Sequence, residues 1–387
     1  MSASLTERPA QAIGAAERMS TRMAFLVAGL GMAAWAPLVP FAKDRAGLDE
    51  ASLGLLLLCL GLGSLIGMPL TGVLVARYGC RAVILPAGVL ACASLLCLAS
   101  VPTAAALAVS LLLYGAAIGI LDVAMNIQAV IVEKAERRPL MSGFHALFSV
   151  GGIVGAGGMS LLLWLGLAPF VASAIVVAVM ATLLAAASAW LLRFGDEAGG
   201  GGAHFVLPHG PVILIGLLCF IIFLAEGAML DWSALFLQQE RALDPAHAGI
   251  GYTAFAIAMT LGRFTGDRVV QALGRRRMLL LGSLCAAAGF ILASAIPSVP
   301  VSLAGFVLVG LGAANIVPIL FTAAGRQNVM PSGQAVAAVT TLGYAGILAG
   351  PASIGLIAHA SSLTIAFAAL GAGLLLIAVN TRIAQDG

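Results

Sequence analysis

Long apolar runs recur about twelve times along this chain, and its basic residues fall at alternate ends of them. The runs cover residues 22–42, 50–76, 81–100, 103–132, 140–165, 168–192, 211–237, 244–272, 277–297, 299–325, 332–359 and 362–382. A bilayer's hydrocarbon core is about 30 Å thick and takes about 20 apolar residues to cross as a helix. Lipid offers the backbone no hydrogen-bond partner, so each crossing has to be helical. Hydrophobic residues make up 61% of the 387 and charged residues 9%, where a soluble domain is about a quarter charged. That leaves too little polar surface for two or more soluble domains. The sequence predicts an all-α integral membrane protein with twelve transmembrane helices.

The charges orient it. With the N-terminus placed inside, Arg8, Arg18, Arg22, Arg77, Arg81, Lys134, Arg137, Arg138, Arg193, Arg268, Arg275, Arg276, Arg277, Arg326 and Arg382 all fall on the inner side. Only Lys43, Arg45 and Arg241 fall outside, and Arg263 alone lies within a span. Basic residues concentrate on the cytoplasmic side of membrane proteins, so both termini are expected there. The net charge of +3 comes from these arginines and points to no nucleic-acid partner. The six cysteines form no CxxC or Cys/His cluster, so no metal, cofactor or disulfide is expected. There is no GxxxxGK[ST] loop for ATP, and no GxSxG or HExxH for catalysis. An enzyme is therefore not expected.

The chain divides in two. Residues 1–20 are polar and read as a cytoplasmic tail. The first apolar run is too long for a signal-peptide core and is read as a retained helix. The longest polar break, 194–210, carries four consecutive glycines (199–202) and reads as a flexible cytoplasmic linker. It separates a six-helix half at 21–193 from another at 211–382. Gly67, Gly79 and Arg81 match Gly262, Gly274 and Arg276 at one constant offset, and Pro139-Leu-Met-Ser-Gly143 echoes Pro331-Ser-Gly333. Parallel six-helix halves with a site between them are a transporter plan.

An ionisable side chain at the centre of a membrane helix costs about 2.5–3.5 kcal/mol on insertion scales, so each one needs a reason. Glu226 lies near the middle of helix 7, with no cation in that helix. It either carries protons or binds substrate, or it is a neutral carboxyl bonded to a neighbouring helix. Asp231 follows five residues later, about 140° around the helix, so the two line one cavity only if helix 7 unwinds near Gly227. Asp122 and Asn126, four apart, share a face of helix 4 with Tyr114 and Glu133. Arg263 and Asp267, also four apart, are expected to pair near the inner surface as a structural or gating latch. His145, at the start of helix 5, serves either a proton step or an interhelical hydrogen bond. Trp35, Asn126, Gln128, Asn315, Thr322, Thr341 and Tyr344 are the uncharged substrate candidates. Pro37 and Pro40 should distort helix 1 beside Trp35 and expose carbonyls. Asn315 with Pro318 should bend helix 10.

Gly72-Val-Leu-Val-Ala76-Arg77-Tyr-Gly79-Cys-Arg81 resembles the helix 2–3 motif of the Major Facilitator Superfamily. Ala76 stands where that motif has an acid, and Asp267 lies one turn early in the second half. The glycine run 151–158 resembles the antiporter motif of helix 5 without its proline. The stretches DVAMNIQ (122–128), SGFHALFSVGG (142–152) and AEGAMLDWSALFL (225–237) are similar to a bacterial subgroup that includes fucose-permease-like members. The resemblance covers about residues 20–385. It implies a secondary transporter, monomeric in the bacterial inner membrane, that moves a small molecule by alternating access with proton coupling. Symport of a sugar-like or small polar solute is slightly favoured. Efflux by proton antiport and a non-transporting sensor or scaffold are the alternatives.

Overall fold

The computed structural model describes residues 13–48, 50–195, 207–243 and 250–384. Residues 1–12 of the expected tail and 196–206 of the expected linker lie outside the described residues. Among the described residues, fourteen α-helical segments make twelve crossings. The first crossing is α1 (Ala15–Ala34), a 3-10 turn (Ala36–Leu38) and α2 (Val39–Ala46). Then come α3 (Glu50–Tyr78), α4 (Cys80–Leu98), α5 (Ala104–Glu136), α6 (Met141–Trp164) and α7 (Pro169–Ser188). The second half has α8 (Pro211–Arg241), α9 (Ile250–Leu273) and α10 (Arg275–Ala295). Its tenth crossing is split into α11 (Val299–Ala313) and α12 (Ile316–Arg326), followed by α13 (Ser332–Ala360) and α14 (Leu363–Val379). Ten of the crossings are long and apolar enough to span a bilayer on those grounds alone. The other two are α14, with 17 residues, and α9, which carries Arg263, Asp267 and Arg268. With an even number of crossings, the described ends, Ile13 and Ala384, lie on one side, the terminal face.

Both expected helix distortions are present. Pro37 sits in the 3-10 turn that interrupts crossing 1, and Asn315 sits in the gap between α11 and α12. The first helix starts earlier than its hydropathy indicates. Residues 15–20 of the expected tail are helical, Glu17 is buried, and its carboxylate accepts the Gly14 N–H at 2.9 Å. Hydropathy undercounts this turn because capping, rather than lipid, stabilises it.

Leu55, Leu58, Leu62, Ile66 and Leu70 are exposed at helical spacing along α3, a stripe suited to face lipid. Inside, glycines let backbones meet, which matters where hydrophobicity drives no association. A Cβ at Gly29 would lie 2.0 Å from the Phe148 carbonyl oxygen, and one at Gly151 would lie 2.3 Å from that of Leu26, so α1 and α6 interlock. Helices α8 and α13 repeat this in the second half, where a Cβ at Gly346 would lie 2.3 Å from the Phe220 carbonyl oxygen. The sequence repeat is a repeat of backbone as well. Gly79 (φ 86°) and Gly274 (φ 80°) cap α4 and α10 in the same positive-φ conformation. A side chain would be strained at either position.

The halves meet along α3–α13 and α6–α9, with α12 reaching α5 and α6. Their polar contacts gather towards the terminal face. Lys134 reaches the Ser332 hydroxyl at 3.3 Å, and a Cβ on Gly325 would strike Val130.

Candidate functional site

The charged centre of the molecule is Arg263 on α9. Its guanidinium lies 3.7 Å from the Glu226 carboxylate of α8, in the same half. It also donates to the Ser149 hydroxyl of α6, across the seam, at 2.8 Å, and its Nε reaches the Ala314 carbonyl at 3.4 Å. That carbonyl points sideways because crossing 10 is broken there. One cation thus joins both halves and a helix break. The Glu226 side chain is 18% exposed and that of Arg263 9%, so the pair is nearly dry. Glu226 Oε1 has no hydrogen-bond partner.

The other half holds a second buried acidic group. Asp122 is buried on α5. The Asn126 side-chain amide donates to the Asp122 backbone carbonyl at 2.9 Å and approaches its carboxylate at 3.5 Å. Asn126 Oδ1 is left without a partner. Tyr344 of α13 lies within electrostatic reach of Asp122. An aromatic row then crosses the seam. Phe25 packs on Phe144 and His145, His145 meets Phe321 at 5.8 Å, Phe321 meets Phe223 at 6.5 Å, and Phe223 meets Tyr344 at 6.0 Å. His145 Nε2 is buried in this row without a hydrogen-bond partner.

Closer to the terminal face the halves are latched by carboxylates. Asp267 accepts the backbone N–H groups of Ser142 (3.0 Å) and Gly143 (2.9 Å), at the N-terminus of α6. An anion there meets unpaired amides and the positive end of the helix dipole. Glu133 accepts from Leu140 N–H (2.9 Å), Met141 N–H (3.0 Å), Thr322 (2.8 Å) and Arg275 (3.3 Å), drawing in both halves. At the repeat offset Asp267 corresponds to Gly72, and Gly72 abuts Gly333 and Gln334 at the start of α13. One seam is therefore capped by a carboxylate while its repeat mate is closed by bare backbone contact.

Several expectations change. The Arg263–Asp267 pair does not form: Arg263 turns inward to Glu226, and Asp267 serves the α6 amides. Asp231 does not join Glu226, because α8 runs unbroken past Gly227 and leaves Asp231 exposed. Gln128 is fully buried and bonded at both ends of its amide, donating to Thr21 at 2.9 Å and accepting Leu192 N–H at 3.1 Å, so it ties helices within its half. Trp35 is 6% exposed and packed in the core, so it offers no ring face to a solute. Tyr114 donates to the Gly31 carbonyl and belongs to the α1–α5 packing. Asn315 donates to the Gly262 carbonyl at 3.2 Å and holds the helix break against α9. Sequence reasoning did not single out Ser149. Its position four residues after His145, on the same face of α6, was the available signal.

Two bundles of long apolar helices, with a nearly dry ion pair beside their seam, define a polytopic membrane protein. The Major Facilitator Superfamily model matches residues 23–243 and 215–384. The chain belongs to this family of transporters. It is 61% identical to an "Uncharacterized MFS-type transporter" of Yersinia pestis, over 95% of this chain and 96% of the relative. The E. coli fucose:proton symporter FucP has the same fold, with TM-score 0.76 and 15% identity over 96% of this chain and 98% of that one. FucP in the outward conformation gives a TM-score of 0.79. The human organic anion transporter MFSD10 gives 0.76 at 17% identity, over 98% and 100%. At such identities the likeness is one of fold.

Proposed function

We propose that this transporter is a proton-coupled symporter for a small polar solute, such as a sugar, with its terminal face in the cytoplasm. The contact of Arg263 with both Glu226 and Ser149 carries this reading. A proton on Glu226 removes the counter-charge from Arg263, and a nearly dry guanidinium left unpaired costs several kcal/mol. Arg263 then needs other acceptors, and solute hydroxyls supply them. The same hydroxyls donate to the partnerless oxygens of Glu226 and Asn126. Proton binding and solute binding are linked through one guanidinium, and linkage is reciprocal. Asp122, facing Tyr344, is the second site of proton exchange.

The terminal face is closed by the latches at Asp267 and Glu133 and by the aromatic row. With cytoplasmic termini, these contacts close the cytoplasmic side. The fifteen basic residues that the sequence assigns to the inner side support the orientation. Reporter fusions to the C-terminus test it.

A melting-temperature screen of sugars and polyols at two pH values identifies the solute, because a ligand stabilises the state it binds. In proteoliposomes, Glu226→Gln should keep solute exchange and lose accumulation driven by a pH gradient. Accumulation in that variant with undiminished gradient dependence would remove Glu226 from the coupling role. Alkalinisation of the outer medium on solute addition distinguishes symport from antiport, which shares this geometry.

A further inference from the structure

A crevice of about 490 Å³ lies at the terminal end of the first half, away from the central site. Tyr78, Arg81, Ala82, Leu85, Pro86 and Arg193 line it. Two backbone hydrogen bonds build it: Cys80 N–H donates to the Phe194 carbonyl at 3.3 Å and Arg81 N–H to the Leu192 carbonyl at 2.7 Å. The chain leaving α7 is thereby strapped across the α3–α4 turn, and Arg193 is fixed beside Arg81. The strap needs Gly79, because a Cβ there would lie 2.3 Å from the Arg193 carbonyl oxygen. Among the described residues neither guanidinium has an acidic partner or a side-chain hydrogen bond. Two neighbouring arginines in one crevice suit a phosphate, which arginine binds through several N–H donors.

The crevice has a second, apolar component. Ala82, Pro86 and Val89 are exposed at successive turns of α4, Val89 at 64%, forming a stripe that runs from the arginines towards mid-membrane. Tyr78 and Trp190 are each 52% exposed at this level, and such amphipathic rings sit at the headgroup layer. Cations at headgroup height above an apolar track match a molecule with a phosphate head and an acyl tail. We propose that this crevice binds an anionic phospholipid of the cytoplasmic leaflet, its phosphate between Arg81 and Arg193 and an acyl chain along α4. The site is separate from the Arg263–Glu226 pair.

Native mass spectrometry of the purified full-length protein, titrated with phosphatidylglycerol and separately with phosphatidylcholine, tests this. Each basic residue at an anionic membrane surface contributes about fivefold in binding, so R81Q/R193Q should lose phosphatidylglycerol about thirtyfold. Phosphatidylcholine adducts should be unchanged. R277Q/R326Q removes the same charge from exposed positions on the same face that are not repeat mates of Arg81 or Arg193, and should bind like the parent. R193Q alone, a change on an exposed side chain, should lose about fivefold and remain folded if the double variant does not. Equal losses in both double variants, or no loss in either, would overturn the proposal. Stripping of bound phosphatidylglycerol from the parent by millimolar inorganic phosphate would also overturn it, by showing a soluble-anion site.

Discussion

Asp267→Asn isolates the latch between the halves. The aspartate accepts two backbone N–H groups, at 3.0 Å and 2.9 Å, from the first turn of α6. Hydrogen bonds to a charged acceptor are worth about 1.5–3 kcal/mol each. Asparagine keeps one oxygen and can accept one of the two, while its NH2 turns a donor towards the other N–H. It also loses the charge that favours a helix N-terminus, worth about 0.3–1 kcal/mol when exposed. The net loss is about 2 kcal/mol. These bonds join opposite halves, so they exist only while the terminal face is closed, and the loss falls on that state alone. An equilibrium shifts by the difference in free energy between its states, here about thirtyfold towards opening. Val130 is a suitable reporter: it is 2% exposed and lies in the seam against Gly325. With the six native cysteines replaced, Val130→Cys should be alkylated by a hydrophilic maleimide at a rate set by the open fraction. That rate should rise about thirtyfold in the Asp267→Asn background. An unchanged rate in a protein that remains monodisperse would refute the latch.

Glu133→Gln should destabilise the protein more, since it leaves Arg275 and two buried N–H groups facing a neutral amide. Breaking one side of a buried charge network costs about 3–5 kcal/mol, read as a fall in detergent melting temperature. Gly115→Ala should abolish monodisperse expression, because its Cβ would sit 1.9 Å from the Leu60 carbonyl oxygen and force α3 from α5. Gly158→Ala, with nothing within 4 Å, should be neutral in the same size-exclusion profile.

Ser149→Ala tests the bridge across the seam. It removes a 2.8 Å bond from a charged donor and should weaken solute binding by about tenfold, read as a right-shifted melting-temperature titration. Solute affinity equal to that of the parent would show that Ser149 plays no part in the linkage.

Much of the architecture was legible one helix at a time. Apolar length, basic ends and glycine spacing act on a single segment and its nearest turn. Twelve crossings, two halves, the repeated turns at Gly79 and Gly274, and the breaks near Pro37 and Asn315 could therefore be read directly. The site was legible only as a set of candidates. Glu226, Asp122, Asn126, His145 and Tyr344 stood out because polar groups in a membrane are expensive, and the structure gathers them around the seam. Which groups pair was decided elsewhere. Arg263 and Asp267 had the spacing to pair on one helix, yet each has a better partner on another. Glu226 offers a nearly dry counter-charge, and the α6 amides offer two donors. Gln128 and Trp35 looked equally available in sequence and are consumed by packing. Partner choice depends on how each helix is rotated and which neighbour it faces, and those are properties of the folded bundle that no run of residues contains.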